Sequence, residues 1–192
     1  MANKDAAFGF RPVGHLSGGM IRTREYSIAA NYGQNIFRGQ PVLAVTAGGI
    51  ERATDTSGTV GLIAGVFSGC CYTDPTTSKP TFNKYYPAST NATDIKAYVW
   101  DDPHIVFEVQ HDGTGTAAMN WGGFDAVGLT GSTATGMSKT ELDTSEVTTT
   151  GNWVQIGIST DPDNSDTTAA NCNAYVVPNV GEHSFLLAAT LG

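Results

Sequence analysis

Cysteine is scarce in this sequence, which contains only Cys70, Cys71 and Cys172. Because three is an odd number, a complete disulfide framework is excluded. Cys70 and Cys71 are neighbours whose side chains would point to opposite faces of a strand, so either one could form a single bridge with Cys172. We expect buried reduced thiols instead, because unpaired cysteine behaves as a small buried hydrophobe and cytoplasmic proteins rarely keep disulfides.

Long apolar runs are also lacking. No segment approaches the ~20 apolar residues that a membrane-spanning helix needs, so no membrane partner is expected. The first residues lack the basic region and the apolar stretch of a secretory signal. The sequence therefore favours a protein that is made in a cytoplasm without export.

Charged residues make up only 15% of the sequence, and the basic ones are the scarcer kind, with 10 Lys and Arg against 18 Asp and Glu. The net charge of −8 is uneven, because the chain through Arg52 sums to +3 and the remainder to −11. Nucleic acid is a poor partner for so acidic a chain, since phosphate binding needs concentrated lysine and arginine. Two interpretations stay open: self-repulsion that favours solubility, and a basic front that docks on an acidic partner.

Glycine, threonine, serine, alanine and asparagine are abundant, a composition that suits short strands and turns and offers little to long helices. A chain of 192 residues can bury one good core. We find no internal repeat and no linker that divides the body. The sequence predicts an all-β fold, a small β-barrel or β-sandwich with long loops. Residues 20–192 would be its single domain and residues 1–19 an extended N-terminal arm.

The clearest strands lie between residues 34 and 72. Residues 41–45 form a short apolar run that a glycine turn leads back into a second strand. In residues 59–67 both faces are apolar or small, which predicts a strand buried on both sides. Gly61 and Gly65 share one face there and leave room for another backbone to approach closely.

Residues 94–112 predict a half-buried hairpin. Apolar residues alternate with polar ones on both sides of a turn at Asp101, Asp102 and Pro103. Glycine and polar residues dominate between 113 and 151, where at most one helical turn is expected near 117–121. Further strands are predicted at residues 21–26, 153–159, 174–177 and 182–191.

The first nineteen residues have neither a helical nor a strand period. Two phenylalanines with an arginine and a proline between them favour an arm laid on a partner over a disordered tail, because tails are usually poor in aromatics. The candidate contact residues are Phe8, Phe10, Arg11 and Val13.

Patterns typical of enzymes and of metal sites are incomplete. Counted from Asp161, the sixth and twelfth positions are Asp166 and Cys172, where a calcium loop of the EF-hand type needs glycine and glutamate. We therefore expect a local turn at residues 161–166, with a non-standard calcium site as the alternative. His104, Glu108 and His111 cannot all share one face of a strand, which argues against zinc. No G-x-S-x-G elbow, dinucleotide fingerprint or P-loop occurs. We expect no catalysis and no cofactor.

Several segments together resemble a known family. AAFGFRPVGHLSGG, residues 6–19, resembles the start of small virion proteins of tailed bacteriophages. GQPVLAVTAGGIERA and GLIAGVFSG resemble the β-rich core of head decoration, or cement, proteins. DPHIVFEVQHDGT and DPDNSDTTAANCNAYVVPNVGEH are similar to segments of phage structural proteins of this kind.

The resemblance implies a viral structural protein on the capsid exterior. Such proteins are typically all-β, often trimeric, and clamp neighbouring major capsid subunits without catalytic residues. The expected partners are the major capsid protein, through the N-terminal arm, and further copies of the chain. Alternatives are a tail, connector or host-adhesion protein that stacks sugars on Tyr85, Tyr86, Trp100 and Trp121, or a zinc or calcium enzyme on a jelly roll.

Overall fold

The computed structural model describes residues 3–45, 47–54, 62–145, 147, 150–179, 181 and 183. Within these ranges the chain forms β-strands and one 3-10 turn at Ala117–Met119, which agrees with the predicted single helical turn. No helix among the described residues is long and apolar enough to cross a membrane. The prediction of an all-β fold is confirmed.

The strands in chain order are β1 (Arg11–His15), β2 (Arg24–Ser27), β3 (Pro41–Ala44), β4 (Ile50–Arg52), β5 (Ile63–Thr73), β6 (Pro80–Asn83), β7 (Lys96–Trp100), β8 (Ile105–Gln110), β9 (Gly123–Phe124), β10 (Ala126–Val127), β11 (Glu141–Leu142), β12 (Trp153–Ile158) and β13 (Asn173–Pro178). Most predicted strands are present. All of the predicted closing strand at 182–191 except His183 lies outside the described residues, as does the start of the one at 59–67.

Two antiparallel sheets make up the body. The first has five strands in the order β1-β8-β13-β12-β9. The second has six, in the order β2-β7-β5-β3-β4 with β6 beside β5, while β10 and β11 form a separate ribbon. Over the described ranges the sheets do not close into a barrel, so of the two predicted architectures the structure supports the sandwich.

β5 is the central strand of the second sheet, because β7 pairs with one of its edges and β3 and β6 pair with the other. Both of its faces are buried. Val66 belongs to the core cluster between the sheets, together with Phe107 and Trp153 of the first sheet. Phe67, the next residue, belongs to a second cluster that packs loop residues such as Tyr86 against the other face. The predicted strand with two buried faces is thus confirmed for its described part.

Gly65 lies where another backbone comes very close, as its position in the sequence predicts. A Cβ at this residue would lie 2.2 Å from the carbonyl oxygen of Trp100, and its φ is +145°. Side chains other than hydrogen therefore do not fit. The companion position, Gly61, lies outside the described residues.

The predicted hairpin at 94–112 is wrong in its pairing. Both strands are present, but β7 pairs with β2 and β5 in the second sheet, and β8 pairs with β1 and β13 in the first. The turn around Asp102 therefore connects the two sheets. β8 is also more than half-buried, since Glu108 and Gln110 are covered on the face that was expected to be solvated.

Candidate partner-binding surface

Phe10 is a core residue and not a contact residue of an arm. Its side chain is 1% exposed and stacks on Trp153, with 4.1 Å between ring centroids. Its backbone N–H donates to the Gly39 carbonyl at 2.9 Å. A side chain enclosed in this way cannot reach another protein, so Phe10 must be removed from the predicted docking set.

The rest of the predicted arm also lies against the body over much of its described length. β1 pairs with β8 at the edge of the first sheet. Before it, the Asn3 amide donates to the Asp166 carbonyl at 2.8 Å, and the Ala6 N–H donates to Gln110. The prediction of a separate extended arm therefore needs correction for residues 3–15.

Arg11 makes an ion pair within the chain. Its guanidinium donates to Glu108, whose other carboxylate oxygen accepts from Ser159 at 2.7 Å and from Asn173 at 3.3 Å. Burial alone would raise the pKa of Glu108, but these donors and the Arg11 charge outweigh it and lower the pKa. The Arg11 guanidinium also lies 4.8 Å from the centroid of the Phe8 ring.

Val13 is exposed, and it begins a run of exposed apolar side chains that the sequence did not indicate. Leu16 is 56% exposed, Met20 87% and Ile21 39%. We call residues 13–21 the exposed apolar segment. It leads from β1, an edge strand of the first sheet, to β2, an edge strand of the second.

The residues considered as zinc ligands lie in three separate environments. His104 Nδ1 is 3.3 Å from Asp102 Oδ1, Glu108 belongs to the network just described, and His111 Nε2 is 2.9 Å from Gln155 Oε1. Burial lowers the pKa of His111. Across the described ranges, no group of three His, Cys, Asp or Glu is arranged to hold a metal ion.

The aspartate-rich loop at 161–166 uses its carboxylates for local turns. Asp161 accepts from the N–H of Asp163 at 3.0 Å, and Asp166 accepts from the N–H of Thr168 at 2.9 Å. Lys4 forms an ion pair with Asp163. This geometry agrees with the predicted turn.

The three cysteines are unpaired thiols, as predicted. Cys70 and Cys172 are buried, and Cys71 is half-buried with its sulfur 3.3 Å from the Tyr98 hydroxyl. Burial raises the pKa of Cys70 to about 12, with a smaller contribution from the neighbouring Cys71.

Only one of the four aromatic residues considered for sugar stacking is well exposed. Tyr86 and Trp100 are buried, and Tyr85 stacks on Phe37 with 5.4 Å between centroids. Trp121 is 79% exposed and has a φ of +72°, a conformation that bulky side chains rarely adopt. The predicted set therefore reduces to Trp121.

Comparison with known proteins identifies no relative of this chain. No protein-family model, curated protein or solved structure matches the chain.

Proposed function

We propose that this protein is a structural component of a tailed-phage virion that binds the outer surface of the capsid. It would bridge neighbouring major capsid subunits, act as a homotrimer and catalyse no reaction. It would be made in the host cytoplasm and bind neither nucleic acid nor membrane. The segments quoted above that resemble head decoration proteins support this proposal.

The observation that carries the proposal is the exposed apolar segment at residues 13–21. Four large apolar side chains within nine residues of the chain are exposed there. Exposed apolar surface that is contiguous marks interaction sites more often than ordinary surface. Burying Leu16 and Met20 against a partner would each contribute about 1.5–3 kcal/mol. The edge strands β1 and β2, which this segment joins, could also accept an added strand through their backbone groups.

This surface revises the docking set predicted from the sequence. Val13 stays in it, and Leu16, Met20 and Ile21 join it. Phe10 leaves it because it belongs to the core, and Arg11 is engaged with Glu108. The acidic remainder of the chain would face outward and contact neighbouring copies.

Co-sedimentation with expanded empty capsids tests the proposal. The double variant L16D/M20D should keep the fold, because both side chains are exposed, and should bind capsids at least about a hundredfold more weakly. W121D is the matched control, since it also replaces an exposed apolar side chain by aspartate, and it should bind as the parent does. Capsid binding that is unchanged in L16D/M20D would contradict the proposal.

Light scattering tests the trimer separately. A homotrimer would have a mass of about 60 kDa, from a chain of 20.1 kDa. A protein that is monomeric in solution and trimeric on capsids would show that the contacts between its copies form only on the capsid lattice. A monomer in both states would exclude the trimer.

A host-adhesion role is the second candidate, and the exposed Trp121 favours it. Its backbone N–H donates to the Gln155 carbonyl at 2.8 Å, which holds the strained turn in place. Indole faces stack well on sugar rings. Binding of the isolated protein to host cells, lost in W121A and kept in L16D/M20D, would support adhesion over decoration.

A further inference from the structure

Two neighbouring cavities on the surface share the side chains of Arg38 and Lys84. One has a volume of about 310 Å³ and the other of about 330 Å³. The first is also lined by Arg11, so three of the ten lysines and arginines of the chain meet here. Among the described residues, no aspartate or glutamate lines either cavity. In a chain with a net charge of −8, this concentration of positive charge is unusual.

The two shared cations are not neutralised by the described part of the chain. Neither Arg38 nor Lys84 forms an ion pair with a described residue, whereas Arg11 pairs with Glu108. The Arg38 guanidinium lies 5.2 Å from the centroid of the Trp100 ring, which orients it without cancelling its charge. Both cations therefore keep their full capacity to bind an anionic group.

The backbone around Arg38 is held firmly in place. The Arg38 N–H donates to the Gly136 carbonyl at 3.1 Å, and the Arg38 carbonyl accepts from Ser138 at 2.9 Å. Gly39 then bonds to Phe67 on one side and to Phe10 on the other. A site built on a fixed backbone loses less conformational freedom when a ligand binds.

Apolar side chains form the remaining walls. Phe8, Trp100 and Met137 line the first cavity, and Phe82, which is 75% exposed, lines the second with Tyr98. A ligand that fills both cavities must therefore carry anionic groups next to apolar ones. A single small anion could occupy one cavity at most, whereas an extended peptide places successive side chains along a surface.

We propose that these cavities form a binding groove for an acidic peptide segment of another protein, with aromatic or aliphatic side chains between its carboxylates. Arg38 and Lys84 would bind the carboxylates, and Phe8, Trp100 and Phe82 would contact the apolar side chains. Clusters of arginine recognise acidic motifs in this way. None of the lining residues belongs to the exposed apolar segment, and the proposal does not require that the partner be a capsid protein.

Fluorescence polarisation with a labelled peptide of alternating glutamate and phenylalanine tests the groove. The parent protein should bind it, and R38E/K84E should bind at least about tenfold more weakly. The control K79E/K139E makes the same change in net charge at two exposed lysines that line neither cavity. It should bind as the parent does. Because Arg38 is half-buried, the single variant K84E provides a second measurement at an exposed residue.

Five outcomes would overturn the proposal. The parent protein could fail to bind the peptide, or could bind a glutamine counterpart equally well. The two double variants could lose affinity equally, which would assign the effect to net charge. Inorganic phosphate or single-stranded DNA could displace the peptide at lower concentration than unlabelled peptide does, which would indicate another ligand class. Finally, light scattering could show an oligomer that R38E/K84E alone dissociates, which would make a second copy the occupant.

Discussion

The indole of Trp153 stacks on the ring of Phe10 at 4.1 Å between centroids and an interplanar angle of 28°. Phe107 meets the same indole edge-on, with 5.5 Å between centroids. The contact joins a residue near the start of the chain to β12, which is the fourth of the five strands across the first sheet. The N-terminal segment is thereby part of the hydrophobic core.

Replacing Phe10 by alanine should strongly destabilise the protein. The substitution removes a fully buried ring and leaves a cavity beside Trp153, which typically costs about 3–5 kcal/mol. Urea unfolding followed by tryptophan fluorescence measures the change. V13A is the control, because Val13 is exposed and its loss should cost only about 0.5 kcal/mol. Equal stability of the two variants would contradict the core assignment.

Replacing Gly65 by alanine should also destabilise the protein, for a different reason. The new Cβ would meet the Trp100 carbonyl oxygen, and the φ of +145° is unfavourable for alanine, so we expect a cost of about 2 kcal/mol or more. G14A in β1 is the matched control, since its Cβ would have its nearest neighbour at 3.9 Å. Thermal unfolding compares the two. A Tm of G65A equal to that of G14A would show that β5 and β7 can separate without penalty.

Local patterns in the sequence predict the parts of the fold in which neighbours along the chain pair with each other. The hairpin of β3 and β4 is an example, because a glycine turn between a short apolar run and the strand Ile50–Arg52 determines its pairing. The pairing of β7 and β8 is not local. The same alternation fits one hairpin or two strands in different sheets, and only the shape of the complete core selects the second arrangement.

The site residues were harder to predict for the same reason. Phe10 enters the core alone, between Gly9 and Arg11, so its segment shows no period. Arg38 and Lys84 are isolated cations in the sequence, and tertiary folding alone brings them to shared cavities. The exposure of Leu16 likewise depends on tertiary structure, because the packing of the two sheets decides which apolar side chains stay accessible to solvent. None of these features has a signal in residue spacing.

The Glu108 network should make the protein sensitive to acid. Its folded-state pKa lies below the ordinary value of 4.5, so its stabilising effect is complete above that pH and is lost as the pH falls through the folded-state pKa. E108Q should therefore lower the free energy of unfolding by about 1–3 kcal/mol at pH 7 and by progressively less as the pH falls below 4.5. Urea unfolding over a series of acidic pH values measures this. A loss that stays constant until the parent itself unfolds would mean that the charge of Glu108 is not involved.

Glu141 should have the opposite effect on stability. Burial raises its pKa to about 7, and the charges of Asp5 and Asp112 add to the rise. The folded protein then binds a proton that the unfolded chain has released, so stability falls as the pH rises from about 4.5 to about 7. E141Q should be more stable than the parent at pH 8 and nearly equal to it at pH 4. A carboxyl signal of Glu141 that titrates near pH 4.5 by NMR would contradict this prediction.

The three thiols should react at different rates. Cys71 is half-buried, whereas Cys70 and Cys172 are buried, and burial raises the pKa of both and so suppresses their thiolates. We expect one fast thiol with a disulfide reagent in the folded protein and three after unfolding. C71S should remove the fast phase and leave two thiols that react at the rate of unfolding. Two fast thiols in the parent would contradict the burial of Cys70 or of Cys172, and fewer than three after unfolding would reveal a disulfide.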